Sequence, residues 1–153
     1  ASNWDSYERI AFWDALDAVG IQAYFPLVKG PRAATDAATL AASWKGIMGT
    51  LSAYSKRLDR PIVFTELGYN VSSKAAAEPW AYEQGGDDAI GVQTRCMTAA
   101  LEAIRSEPTV RGAFIWKWFS GRAFAEDFLA STPPVRATIR EVWGEVPKSP
   151  ANE

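Results

Sequence analysis

Apolar and polar positions follow two spacings along the chain, one near that of a helix and one near that of a strand, and the two alternate. Residues 6–19 carry Phe12, Trp13, Leu16 and Val19 at helical spacing and predict a helix. Residues 20–27 predict a short strand that ends at Pro26, and a loop with Gly30 and Pro31 follows. Residues 36–58 place Leu40, Trp44, Ile47, Met48, Leu51, Tyr54 and Leu58 three or four apart, the signature of an amphipathic helix, with Thr35 or Asp36 as its N-cap. Residues 61–67 form a buried-strand pattern that runs into Glu66. Residues 68–87 make a connection longer than packing alone needs, and such loops are commonly functional. Residues 88–106 predict a helix with Met97, Ala100, Leu101 and Ile104 inward and Asp87 or Asp88 at its start. A third strand is expected over 112–119. Pro133 and Pro134 open a last helix with Val135, Ile139, Val142 and Trp143 on its apolar face, and 147–153 reads as a frayed tail.

Strict alternation of helix and strand implies an α/β fold in which crossover helices cover a parallel sheet. The length of 153 residues suits a single domain over 1–153.

Composition narrows the chemistry. Sixteen basic residues against eighteen acidic give a net charge of -2, so nothing draws the chain to nucleic acid or an anionic membrane. No apolar run is long enough to span a bilayer, and no basic-then-apolar leader opens the sequence. The lone Cys96, at a helical core position, reads as packing. The chain has no histidine, which excludes Ser-His-Asp and Cys-His catalysis and the usual zinc sites. Carboxylates, Lys, Tyr and hydroxyls remain, and no metal or organic cofactor is implied. Seven Trp and five Tyr suit carbohydrate binding, where flat rings stack on sugar C–H faces.

Glu66 is the sharpest candidate, because active-site groups of parallel α/β folds gather at the C-terminal ends of strands. Alternation puts Ile62, Phe64 and Glu66 on one face, which would be the lining of a barrel; the competing role for Glu66 is a solvated strand-end or ion-pairing carboxylate. Tyr24 is placed to donate its hydroxyl to a neighbouring carboxylate, and the bland alternative is a core tyrosine. Trp116 and Trp118 share a face of the third strand, as sugar platforms or as packing. Asn3 and Trp4 sit where a preceding strand would end; either is a candidate substrate contact, and the competing reading is that of ordinary residues at a chain terminus. Asn70-Val71-Ser72 matches a glycosylation sequon, a triplet that arises often by chance.

The string Phe64-Thr65-Glu66-Leu67-Gly68-Tyr69, joined to Pro79-Trp80 and to Trp116-Lys117-Trp118-Phe119, resembles glycoside hydrolase family 113. The resemblance extends through Asn3-Trp4-Asp5, Phe12 to Asp17, Ala23 to Leu27 and the last helix. It implies a TIM barrel, mostly of β-mannanases, with Glu66 as nucleophile. Tyr24, Trp116, Trp118, Asn3, Trp4 and Tyr69 would then be substrate-binding residues, and the partner a β-linked oligo- or polysaccharide. A whole barrel needs about 250 residues. The expectation is therefore the C-terminal part, about strands six to eight, without the acid/base glutamate that follows strand four. Its open sheet edges predict self-association. A noncatalytic carbohydrate-binding module derived from such a barrel, and a self-contained α/β domain with buried aromatics, are the two alternatives.

Overall fold

The computed structural model describes residues 1–119 and 127–144. Four parallel strands form one sheet in sequence order: β1 (Ser2–Asn3), β2 (Val19–Gln22), β3 (Ile62–Leu67) and β4 (Val110–Ile115). Three helices, α1 (Ala37–Leu58), α2 (Ala89–Ser106) and α3 (Pro133–Trp143), complete the α/β fold. The expected tail over 147–153 lies outside the described residues.

The apolar stripe predicted for α1 is buried at Leu40, Trp44, Met48, Leu51 and Tyr54. Asp36 stops the helix at its start by accepting the Thr39 N–H at 3.0 Å. Trp44 reaches from α1 to Phe25 and Phe64, with ring centroids 6.0 Å apart in both pairs. Cys96, Met97, Ala100 and Leu101 of α2 fill the same core, together with Val135 of α3. Burial pushes the Cys96 thiol up to about 12, so this cysteine is packing.

Residues 6–19 do not form the expected helix. Two short 3₁₀ turns, Tyr7–Arg9 and Trp13–Ala15, precede the strand. The cause is capture of backbone carbonyls by side-chain donors. The Trp13 indole donates to the Tyr7 carbonyl at 2.8 Å, and the Tyr54 hydroxyl donates to the same oxygen. Arg60 donates to the carbonyls of Asp14 and Leu16, both at 2.8 Å. Trp13 and Val19 are buried while Phe12 and Leu16 stay exposed, so the apparent stripe never becomes a face.

The strands are also shorter than predicted. β2 ends at Gln22, although Ala23 still donates to the Glu66 carbonyl at 2.8 Å. β4 ends at Ile115, so Trp116 and Trp118 do not share a strand face.

The irregularity that shapes the site lies in β3. Ile62, Phe64 and Leu67 are all fully buried, and Phe64 packs on Trp44, so this set faces the helices. The step from Phe64 to Leu67 is one residue longer than strand alternation allows. Neighbours record the same slip: Ile21 pairs with Phe64 but Gln22 with Glu66, and Ala113 pairs with Phe64 but Ile115 with Leu67. This is a β-bulge, a device that re-aims side chains. It turns Glu66 away from Ile62 and Phe64. The expectation that those two line a barrel with Glu66 is thus corrected: they are outer-face residues.

Candidate active site

Beyond the bulge, Glu66 meets two donors. Gln22 Nε2 donates to Oε1 and the Tyr24 hydroxyl to Oε2, each at 2.6 Å. Both partners donate, so the arrangement is complementary to an ionised carboxylate, which can only accept. Burial, reinforced by the bond to Glu66, holds Tyr24 far above the ordinary phenol range and keeps its proton in place to donate.

The half-buried Glu66 opens onto a cleft of about 370 Å³. Gln22, Tyr24 and Glu66 form its polar side, with Asn3 at the edge; Trp80, Tyr82, Trp116 and Phe128 supply the aromatic walls. Trp116 is brought to the end of β3 by Gly68, because a Cβ on Gly68 would collide with the Trp116 carbonyl. The Trp116 amide donates to the Leu67 carbonyl at 2.8 Å, continuing the ladder for one bond. Among the described residues, Glu66 is the only acidic side chain lining this cleft.

Of the residues singled out from sequence, Glu66, Tyr24, Trp116 and Asn3 come together here. Trp4 does not line the cleft; it stacks behind Trp80 with centroids 5.6 Å apart and planes 12° from parallel. Trp118 is 53% exposed and lies off the cleft, because the chain leaves the sheet before it. Tyr69 is 1% exposed and belongs to the core. Its hydroxyl has no hydrogen-bond partner among the described residues, and burial, with Cys96 adding to it, raises its phenol well above the usual range. Neither Trp118 nor Tyr69 is placed to touch a ligand in this cleft. Sequence reading missed Gln22, Trp80, Tyr82 and Phe128. Gln22 carried a usable signal, since it is the last residue of a strand that neighbours Glu66. Phe128 carried none, because its position depends on loop packing.

One family matches this chain. The model for Glycoside Hydrolase Family 113 matches residues 1–130. The chain belongs to glycoside hydrolase family 113. Solved structures of this family share the fold. A GH113 β-mannanase, AaManA from Alicyclobacillus acidocaldarius in complex with ManMIm, is 25% identical, with a TM-score of 0.69 over 92% of this chain and 42% of that one. A GH113 β-1,4-mannanase solved as a complex is 20% identical, with a TM-score of 0.68 over 89% of this chain and 42% of the other. A further GH113 β-1,4-mannanase structure is 21% identical, with a TM-score of 0.68 over 90% and 42%. The GH113 chain described here therefore spans about 42% of the length of these relatives. A search of curated proteins finds no match.

Proposed function

We propose that this chain carries the nucleophile side of a retaining β-mannanase active site and acts on β-linked polysaccharide. One observation carries the reading: a bulge turns a single carboxylate, held by two donors, into a cleft walled by indole rings. In this reading the four strands correspond to the C-terminal part of a barrel, with β1 in the place of strand five.

In this reading the chemistry runs on two carboxyl groups. A Glu66 oxygen attacks the anomeric carbon and forms a glycosyl ester as the glycosidic C–O bond breaks. A second carboxyl group protonates the departing oxygen and then removes a proton from the water that hydrolyses the ester. Retaining enzymes hold the two groups about 5–5.5 Å apart. No such partner lines the cleft among the described residues, so the reading places it on the remainder of a barrel. Tyr24 and Gln22 orient Glu66. Trp116 floors the sugar at the cleavage point, and Trp80, backed by Trp4, offers a second flat face. Without the second carboxyl group, the loss from general acid catalysis alone is about 10²–10⁴-fold.

The test is hydrolysis of a β-mannan oligosaccharide by this chain mixed with a polypeptide carrying the missing strands. Activity is expected in the mixture and is expected to vanish with Glu66→Ala. Full activity in that variant would remove Glu66 from the mechanism. That Glu66 is the one acidic side chain lining the cleft among the described residues also favours a second reading, a sugar-binding module without catalysis. That reading predicts binding that survives Glu66→Gln, and no hydrolysis by any mixture.

A further inference from the structure

Two buried amides lie just outside the cleft, and the chemistry above does not use them. Asn70 is 2% exposed and Gln93 is fully buried. Buried amides of this kind persist where their hydrogen bonds fix something.

Asn70 ties three segments. Its Oδ1 accepts from the Val71 N–H at 2.9 Å and from the Phe128 N–H at 3.0 Å. Its Nδ2 donates to the Ala81 carbonyl at 3.3 Å and to that of Glu83 at 3.5 Å. Gln93, on α2, fastens the neighbouring positions. Its Nε2 donates to the carbonyls of Tyr69 at 2.8 Å and Leu129 at 2.9 Å, while its Oε1 accepts from the Thr132 hydroxyl at 3.1 Å. The sequon asparagine is thus a fastener with no free amide to modify.

Asn70 holds the Phe128 amide itself, and Gln93 holds the carbonyl of Leu129 beside it. Phe128 has a φ of 55°, in the left-handed region, which a bulky residue enters only when its surroundings hold it there. Its carbonyl accepts from the Lys117 N–H at 2.8 Å, which fixes the segment next to Trp116. Its ring packs edge-to-face with Tyr24, centroids 5.8 Å apart, and with Tyr82 at 5.6 Å. Tyr24 in turn donates to Glu66. A continuous set of packed contacts therefore runs from Asn70 through Phe128 and Tyr24 to the carboxylate.

We infer that Asn70, Gln93 and Phe128 are positioning residues for the Tyr24–Glu66 pair: Asn70 holds Phe128, Gln93 holds the adjoining Leu129, and the Phe128 ring holds the phenol on the carboxylate. The catalytic meaning of this clamp rests on the function proposed above, whereas its existence does not.

The test is carbon NMR of the chain with 13C at the tyrosine ζ position, where the shift reports the phenol's hydrogen bond. Tyr24→Phe identifies the Tyr24 signal, and Glu66→Ala gives its position once the bond is gone. In Asn70→Ala, and in Phe128→Leu, which keeps most of the buried volume, the Tyr24 signal is expected to move at least half of the way to that position. Either variant, folded by circular dichroism and holding the wild-type shift, would overturn the inference. If Asn70→Ala fails to fold, Phe128→Leu alone decides. A merely structural role would lower the melting temperature and leave this resonance in place. The mannan assay fails independently: absence of hydrolysis removes the function proposal while the NMR comparison still decides the clamp.

Discussion

At the scale of single residues, Glu66 stood out in the sequence because a carboxylate after an apolar strand seldom serves packing. Its direction was reached by an argument that the structure corrects. Plain alternation would put Glu66 with Ile62 and Phe64, against α1, where Trp44 already fills the space. The extra residue in β3 is what frees it. Tyr24 met the expectation that its hydroxyl reaches a carboxylate. Tyr69, Trp118 and Trp4 were misplaced for one shared reason. Each sits next to a motif residue in sequence, but side-chain direction beyond a strand end is set by loop contacts that spacing does not encode. The Gln93 bond to the Tyr69 carbonyl is such a contact.

At the scale of elements, α1, α2 and α3 were readable from their apolar periodicity; a side-chain cap supports it only at α1, since Asp88 and Thr132 make no capping hydrogen bond. Asp36 shows how a cap enters the energetics. The Thr39 hydroxyl at 2.7 Å, and then the Thr39 N–H, hold its carboxyl below the usual aspartate range. A carboxyl lowered in the folded state stabilises above its unfolded value, and that contribution is lost as pH falls through the folded one. Asp36→Ala is expected to lower the melting temperature by a few degrees at neutral pH, with the gap to wild type closing in acid. Thermal melts across a pH series check this, and a gap that does not change with pH would contradict it. Residues 6–19 were unreadable because Arg60 and Tyr54, distant in sequence, take the carbonyls that a helix would need.

At the scale of the molecule, the parallel sheet and the family could both be read from the sequence; the two-residue β1 leaves no periodicity, and only its end at Asn3 was expected, from its place ahead of the next element. Among the described residues, the sheet has one face against the helices and one face open. On the open face Phe114 of β4 is 68% exposed, and β4 is an edge strand. Such edges and apolar faces recruit other chains. The isolated chain is therefore expected to self-associate, with a light-scattering mass above that of one copy. A monodisperse monomer that melts cooperatively would argue that the open face needs no cover.

The role of Glu66 is tested most directly by covalent capture. In a 2-deoxy-2-fluoro-β-mannosyl fluoride, fluoride departs without help from a general acid, and the ring fluorine slows hydrolysis of the ester that forms. Mass spectrometry of the chain, incubated with this reagent and the complementary strands, is expected to find one fluorosugar on the peptide containing Glu66 and none after Glu66→Gln. An adduct on another carboxylate, or an unlabelled Glu66 in a mixture that hydrolyses mannan, would contradict the assignment.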